Sequence, residues 1–190
     1  RLFRFWDIDP GYRIHYRRDE DYAEHFLEIF KESVRCRLAG SKKTGILLSG
    51  GVDSGAVASV AGWLHRNAWN GASPEVHTYS WAFEELPGCD ERAISSEIVQ
   101  CYNFCHTDVE ADRLWPLKDY PSHGPDLDDP YIDYFQPLTE ITLSIARDQQ
   151  ISTVITGERG DEMVGAWMYD HPGLLSAGRL RELWLELREH

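Results

Sequence analysis

Basic residues and long apolar runs are both scarce in this sequence. Its 190 residues include 19 Lys and Arg against 32 Asp and Glu, which gives a formal net charge of −13. A broad nucleic-acid surface needs clustered Lys and Arg, so no nucleic-acid partner is expected and tRNA modification is disfavoured. No apolar run approaches the roughly 18 residues of a membrane-spanning helix, so no membrane partner is expected either.

Cysteines are few as well. The four, Cys36, Cys89, Cys101 and Cys105, are scattered and form no framework of close pairs, which predicts a protein of the reducing cytoplasm. Cys101 and Cys105 lie near His106 in a C-x-x-x-C-H spacing, but this is not a usual zinc pattern, and a structural role is favoured. The sequence lacks an initial Met and a signal peptide, so we expect it to begin inside a longer protein.

Two common phosphate-binding patterns, the Walker A ending Gly-Lys-Ser/Thr and GxGxxG, are also absent from the glycine-containing junction of this sequence. Residues 45–57 read "GILLSGGVDSGAV", in which an apolar strand stops at Ser-Gly-Gly and an Ala-rich helical pattern follows. Such a junction presents free backbone N–H groups at a helix N-terminus, where anions bind. Its glycines allow close approach of the backbone, and Ser49 and Ser54 add hydroxyl donors.

The carboxylate in this junction, Asp53, needs a separate explanation. Beside phosphate oxygens a carboxylate is repulsive unless a cation lies between them, and Mg²⁺ prefers carboxylate together with phosphate oxygens. Asp53 is therefore a candidate Mg²⁺ ligand. The alternative is structural, because an Asp in a first helical turn stabilises the helix by about 0.3–1 kcal/mol, and Ser49 or Ser54 could act only as helix caps.

A second junction repeats this chemistry. After the apolar segment "STVITG", the residues "ERGDEMVG" again combine glycine at a strand end with a carboxylate pair, Asp161 and Glu162, at a helix start. Ligands of open α/β sheets bind at the carboxyl ends of strands. If the first and fourth strands are neighbours, Asp53 and Asp161 could share one metal ion; the alternative for Asp161 is a simple helix start.

Apolar periodicity along the chain predicts alternating strands and helices. This alternation indicates a parallel α/β sheet with flanking helices and right-handed crossovers. Residues 111–135 are irregular and rich in Asp and Pro. The predicted elements are a first helix with an apolar stripe from Tyr22 to Leu38, strands 44–49, 75–81, 104–110 and 152–157, and helices 52–67, 90–103 and 138–150.

Together these motifs resemble the synthetase domain of the asparagine synthetase family. "LLSGGVDSGAVA" is similar to the family's pyrophosphate loop, and "VITGERGDEMVGA" to its second signature, usually Gly-Glu-Gly-Gly-Asp-Glu. The segments "RFWDIDP", "YSWAFEELPGCDERAISSEIV" and "DDPYIDYFQPLTEITLSIAR" resemble further parts of that domain. The resemblance implies a parallel sheet of the ATP-pyrophosphatase (adenine nucleotide alpha hydrolase-like) type, with the first and fourth strands adjacent.

The resemblance also implies an activity that uses ATP and Mg²⁺. ATP is split between its α and β phosphates, a carboxylate such as that of aspartate becomes an acyl-adenylate, and an amine attacks it to form an amide. The carboxylate belongs to a small molecule or a peptide, and a glutaminase domain or subunit is a candidate source of ammonia. The alternatives are a relative that closes a peptide macrolactam or a β-lactam, and a nucleotide-binding domain without turnover. Oligomerisation stays open.

Position by position, the resemblance assigns a candidate site. Glu158 matches a Glu that acts in the amide-forming half-reaction, and its place at a strand end also makes it a general-base candidate. The alternative for Glu158 is an exposed loop carboxylate. Asp53 and Asp161 are the metal carboxylates. Pyrophosphate is assigned to Ser49, Gly50, Gly51, Asp53 and Ser54, and adenosine to Leu47, Phe83, Thr156 and Gly157.

Departures from the family pattern bear on activity. Arg159 replaces the family's usual small residue and is expected either to add a phosphate contact or to block a substrate. The family's catalytic Lys belongs to a region after His190, and its glutaminase half is not encoded here, so residues 1–190 alone are expected to bind nucleotide without turnover. The expected organisation is one ATP-binding domain truncated at both ends, with a lead-in and helix (1–43), a nucleotide-binding core (44–170) and an incomplete C-terminal helix (171–190).

Overall fold

The computed structural model of the protein describes residues 3, 5–7, 9, 11–67, 74–115, 135–161 and 171–188. Within these ranges helices and strands alternate along the chain, as the periodicity predicts. The helices are α1 (Asp19–Leu38), α2 (Val52–Asn67), α3 (Arg92–Tyr102), α4 (Gln136–Asp148), α5 (His171–Ser176) and α6 (Leu180–Arg188). The strands are β1 (Lys43–Leu47), β2 (Glu75–Ala82), β3 (Cys105–Glu110) and β4 (Val154–Ile155).

The four strands form one parallel sheet in the order β3-β2-β1-β4. Strand β1 pairs along its length with β2 on one side, and its Gly45 and Ile46 pair with Val154 and Ile155 of β4 on the other. The predicted parallel α/β fold with flanking helices is confirmed, and so is the adjacency of the first and fourth strands. Because the strands are parallel, the loops that follow β1, β2 and β4 lie at the same edge of the sheet.

Side chains alternate between the two faces of the sheet, and each face has its own apolar core. On one face, Ile46 and Val76 pack with buried residues of α1 and α2. On the opposite face, Tyr79 and Val109 pack with Ala146 of α4 and with Ile151. The helix residues of the first core are Val34, Leu38, Val57, Ala58, Val60, Ala61 and Leu64.

A chain of polar contacts lies on the α4 side of β2 and β3. The hydroxyl of the fully buried Tyr79 donates to Oε1 of Gln149 (2.6 Å), and Nε2 of Gln149 donates to Oγ1 of Thr107 (3.3 Å). Nε2 of His77 lies 2.8 Å from the same Oγ1, and the His77 ring stacks on Tyr79. Burial raises the pKa of Tyr79 to about 12. Burial, and then the charge of His106, lowers the pKa of His77.

Several element boundaries differ from the sequence-based prediction. Strand β4 comprises Val154–Ile155 rather than 152–157, because the chain leaves the sheet at Thr156 to form a loop. Helix α3 begins at Arg92 rather than at residue 90 and ends at Tyr102. Asp90 instead precedes the helix and accepts hydrogen bonds from the backbone N–H and the guanidinium of Arg92. Two helices, α5 and α6, occupy the C-terminal segment, with Gly178 between them at φ +70°.

The apolar stripe of α1 is buried only toward its C-terminal end. Val34 is 3% exposed, whereas Phe26 and Ile29 are 51% and 56% exposed. No helix among the described residues is long and apolar enough to cross a membrane. Most of the irregular segment 111–135 lies outside the described residues, as does Glu162.

Candidate functional site

The first loop of the candidate site, residues 48–51, joins β1 to α2 and is attached to β2 at its start. The backbone N–H of Leu48 donates to the carbonyl oxygen of Tyr79 (2.8 Å), and the Ser80 hydroxyl donates to the carbonyl oxygen of Leu48 (2.7 Å). Leu48 is fully buried, whereas Ser49 and Gly51 are exposed. The loop therefore extends a fixed strand end and presents its exposed backbone at the N-terminus of α2.

The chain turns at Gly50, which has a φ of +90°, a conformation that favours glycine. Space requires glycine as well, because a Cβ at Gly50 would lie 2.7 Å from Cβ and 2.9 Å from the carbonyl oxygen of Glu91. Glu91 immediately precedes α3, so the segment after β2 packs on the first loop. This contact was not predicted from the sequence. The available signal was an acidic pair, Asp90 and Glu91, placed after the second strand and therefore at the same edge of the sheet.

Ser49 in the first loop and Ser54 in the first turn of α2 both form hydrogen bonds within the loop. The buried hydroxyl of Ser54 accepts from the backbone N–H of Ser49 (3.2 Å) and donates to the carbonyl oxygen of Gly51 (3.2 Å), and it lies 2.9 Å from the Ser49 hydroxyl. Oγ of Ser49 also accepts from the backbone N–H of Gly51 (3.3 Å). Ser54 thus fixes the shape of the loop, and any contact that it makes with pyrophosphate stays a prediction.

The second loop, residues 156–161, follows β4 and begins with a tight turn. The backbone N–H of Gly160 donates to the carbonyl oxygen of Gly157 (3.2 Å), and Arg159, the third residue of the turn, has a φ of +65°. A positive φ at the third position alone is typical of a type II turn, in which glycine usually occupies that position. Helical geometry begins at Gly160 and includes Asp161.

The two loops contact each other through glycine backbones. A Cβ at Gly157 would lie 2.7 Å from the carbonyl carbon of Asp53 and 2.8 Å from Cα of Ser54, and a Cβ at Gly160 would lie 2.8 Å from Oδ1 of Asp53. At Gly157 a side chain would meet backbone atoms that cannot move aside, whereas at Gly160 it would displace the Asp53 carboxylate. The second loop therefore packs directly on the first turn of α2 and on the Asp53 carboxylate, and the two sequence motifs predicted to share a site are brought together.

The carboxylates at this contact suit a particular kind of metal. Asp53 is half-buried against Gly160, and the exposed Asp161 is the next residue in the chain. Among the residues that the structure describes, no group of three or more His, Cys, Asp and Glu side chains is arranged to hold a metal ion by itself. Two carboxylates are enough for Mg²⁺, which completes its coordination with phosphate oxygens and water. The donor set therefore fits Mg²⁺ bound together with a phosphate ligand.

The other predicted site residues lie at the same edge of the sheet. Leu47 is the last residue of β1 and Phe83 directly follows β2, and both are half-buried. Thr156 directly follows β4 and is exposed. Glu158 is exposed in the turn of the second loop. Their roles toward adenosine and in amide formation stay predictions.

An ion-paired cluster supports the segment that follows β2. The Arg92 guanidinium pairs with the carboxylates of Asp90 (2.5 Å) and Glu84 (2.8 Å), and its hydrogen bonds lower the pKa of Asp90. The Asp112 carboxylate accepts from the backbone N–H groups of Glu84 (2.7 Å) and Glu85 (2.8 Å). These contacts connect the ends of β2 and β3 and fix the segment that carries Phe83 and Glu91.

Comparison with known proteins places this site in a family. The profile described as asparagine synthase matches residues 25–189. The chain belongs to the asparagine synthase family. Members of this family that match it include a probable glutamine-hydrolysing asparagine synthetase of Schizosaccharomyces pombe, which is 26% identical over 153 residues, covering 75% of this chain and 27% of the relative. Asparagine synthetase B of Escherichia coli is 23% identical over 188 residues, covering 87% and 33%.

A third relative of the chain is described as an amidase. Amidase chyE of Penicillium rubens is 26% identical over 187 residues, which cover 90% of this chain and 27% of the relative. The chain thus spans about a quarter to a third of the length of the curated relatives that it matches. The family to which the chain belongs includes glutamine-hydrolysing asparagine synthetases, of which it matches a part.

Two solved structures match the chain at low sequence identity and with low TM-scores. The U34-tRNA thiolase NcsA from Methanococcus maripaludis has a TM-score of 0.46 and 16% identity, with 70% of this chain and 45% of that chain covered. The NH3-dependent NAD synthetase from Campylobacter jejuni has a TM-score of 0.44 and 13% identity, with 77% and 60% covered. The four-stranded parallel sheet with flanking helices agrees with the fold class predicted from the sequence.

Proposed function

We propose that this asparagine synthase family chain binds Mg-ATP as the nucleotide-binding part of an enzyme that cleaves ATP to AMP and pyrophosphate, and that a carboxylate is thereby adenylated for attack by an amine. The observation that carries the proposal is the backbone contact of Gly157 and Gly160 with Asp53 and Ser54. Through this contact a helix N-terminus suited to anions lies beside carboxylates suited to Mg²⁺.

The first loop would bind the departing pyrophosphate. The first N–H groups of a helix have no intrahelical acceptor, and in α2 these groups follow the exposed Gly51. Held in place by Ser54 and by β2, they would stabilise the negative charge that develops on the leaving group without rearranging. Mg²⁺ bound by Asp53 and Asp161 would neutralise part of the same charge.

The remaining predicted roles follow from the positions of the side chains. Leu47, Phe83, Thr156 and Gly157 lie at three neighbouring strand ends, where adenosine would be bound partly through backbone groups. Glu158 is exposed beside them, so its carboxylate is accessible to take a proton from an attacking amine.

The substrates are the less specific part of the proposal. We propose aspartate or a related small-molecule or peptide carboxylate, with a glutaminase domain or subunit as the source of ammonia, because the relatives include glutamine-hydrolysing asparagine synthetases. A second candidate is amide formation on a different carboxylate, as in macrolactam or β-lactam closure, and a relative described as an amidase indicates that proteins similar to this chain are not limited to asparagine synthetases. An enzyme of either kind should release AMP from ATP only when its own carboxylate substrate is present. A domain that binds nucleotide without turnover should release no AMP with any carboxylate.

The proposal is tested by removing the charges of the two carboxylates. Asp53→Asn and Asp161→Asn should each weaken Mg-ATP binding by at least about tenfold, since even indirect changes at metal sites cost that much. Without metal, ATP should bind both variants better than the wild-type protein, because a charge that repels phosphate is gone. Titration calorimetry with and without magnesium measures both effects.

Asp148→Asn is the matched control, because Asp148 is an exposed Asp at the end of α4, away from both loops. It should leave ATP binding unchanged in both conditions. If Asp161→Asn responds to magnesium as the wild-type protein does, the shared-metal site is refuted.

A further inference from the structure

Arg159 has a backbone conformation that is unfavourable for residues other than glycine. Its φ of +65° lies in the left-handed region, at the turn position where glycine is the usual residue. Strained residues of this kind persist only where the surrounding structure fixes them, and they concentrate at functional sites.

The structure shows what fixes this turn. Gly157 and Gly160, the first and last residues of the turn, each pack against Asp53 or Ser54 with no space for a Cβ. Their own hydrogen bond closes the turn. Both ends of the turn are therefore held in place, and an arginine occupies the left-handed position between them, where a glycine would fit without strain.

The charge of Arg159 is unusual for its surroundings. Segments 48–55 and 156–161 contain three carboxylates, Asp53, Glu158 and Asp161, and Arg159 is their one basic residue. A fourth carboxylate residue, Glu91, packs on Gly50 of the first segment. Arg159 is exposed and lies within two residues of both glycine contacts. A long side chain at this point can reach the anion site at the start of α2.

We propose that Arg159 is an anion-binding residue of this site, and that its guanidinium binds the β and γ phosphates of ATP and the pyrophosphate released from it. This assignment rests on the nucleotide-binding function proposed above. A guanidinium donates two parallel N–H groups, which match a pair of phosphate oxygens. The second loop supplies this guanidinium, while its Gly157 and Gly160 stay in contact with Asp53 and Ser54 at the start of α2.

The test compares ligands that differ in their phosphates. Mg-ATP, magnesium pyrophosphate and AMP are titrated into the wild-type protein, Arg159→Gly and Arg159→Lys by calorimetry, and melting temperatures are measured without ligand. In Arg159→Gly the affinities for ATP and pyrophosphate should fall about tenfold or more, as expected for loss of a hydrogen bond to a charged group, while AMP binds as before. Arg159→Lys keeps the charge but not the paired donors and should lie between the two.

The chain offers a matched control for the backbone effect. Gln150 also has a left-handed φ, +63°, and lies after α4, away from both loops. Replacing either residue with glycine should remove strain and raise the melting temperature by about 2–4 °C. Only Arg159→Gly should change ligand binding.

The possible outcomes separate this assignment from the function on which it rests. Equal changes in ATP and AMP binding, no change in either, or a lower melting temperature of Arg159→Gly would mean that Arg159 only balances neighbouring carboxylates, and the assignment is then overturned. If the wild-type protein binds neither ATP nor pyrophosphate, the proposed function itself is overturned and the assignment with it.

Discussion

Replacing Gly157 with alanine tests the contact between the two loops most directly. The φ of Gly157 lies outside the left-handed region, so the backbone itself accepts alanine and any effect comes from the added methyl group. That methyl would meet backbone atoms of Asp53 and Ser54, which belong to the first turn of α2 and cannot rotate away as a side chain could.

The size of the effect follows from the distances. The methyl carbon would lie 2.7 Å from the carbonyl carbon of Asp53 and closer still to the backbone N of Ser54, and ordinary contacts begin near 3.4 Å, so the second loop must move by at least about 0.7 Å. Forced overpacking of this kind costs about 1–3 kcal/mol of unfolding free energy. A displacement of this size also separates Asp161 from Asp53, so Mg-ATP affinity should fall by about tenfold or more, as at other metal sites whose supporting contacts are altered.

Urea unfolding followed by tryptophan fluorescence measures the first effect, and calorimetry with Mg-ATP measures the second. Gly88→Ala is the control, because Gly88 has a permissive φ and no atom lies within 4 Å of a Cβ placed there. That variant should be as stable as the wild-type protein or more stable by up to about 1 kcal/mol. If Gly157→Ala matches Gly88→Ala in both stability and affinity, the two loops are not in contact and the reasoning is wrong.

Two further predictions concern the polar contacts on the α4 side of the sheet. Because the pKa of His77 is lowered in the folded protein, the unfolded chain binds a proton that the folded chain does not as the pH falls below 6.5, and stability is lost there. His77→Gln should therefore lose less stability than the wild-type protein between about pH 7.5 and 5.5 in urea unfolding; equal losses would contradict this. Tyr79→Phe removes the hydrogen bond to Gln149 and should cost about 1 kcal/mol. Since the pKa of Tyr79 is about 12, the cost should be the same at neutral pH and near pH 9, and a cost that disappears at the higher pH would refute the assignment.

The strand–loop–helix units were predictable from local sequence because each element has its own pattern. The apolar run before Ser49 and the Ala-rich segment after Gly51 predict β1 and α2, and α2 has the bounds expected, Val52–Asn67. Element ends were less predictable where a side chain or loop competes with the regular backbone. Asp90 binds Arg92 and delays the start of α3, and the second loop shortens β4.

Contacts between helices, strands and loops could not be predicted from local sequence patterns. Periodicity gives the apolar face of α1 but not what covers it, and Phe26 and Ile29 are exposed although they belong to the predicted stripe. Spacing places a hydroxyl at Ser54 but does not show that it is directed into its own loop. The packing of Glu91 on Gly50 depends on the order of the strands, which the resemblance implied only for β1 and β4.

The brevity of β4 has a consequence for how binding and folding are related. Only Gly45 and Ile46 pair with β4, although roughly a hundred residues of sequence separate the two strands. A short pairing between distant segments opens at a lower free energy than the rest of a sheet. A ligand that contacts both loops would bind only the closed arrangement and would stabilise it further as the ligand concentration rises above its dissociation constant. Under the proposed function, nucleotide binding would therefore be coupled to the pairing of β4 with β1, and the bound ligand would add to the few hydrogen bonds between these two strands.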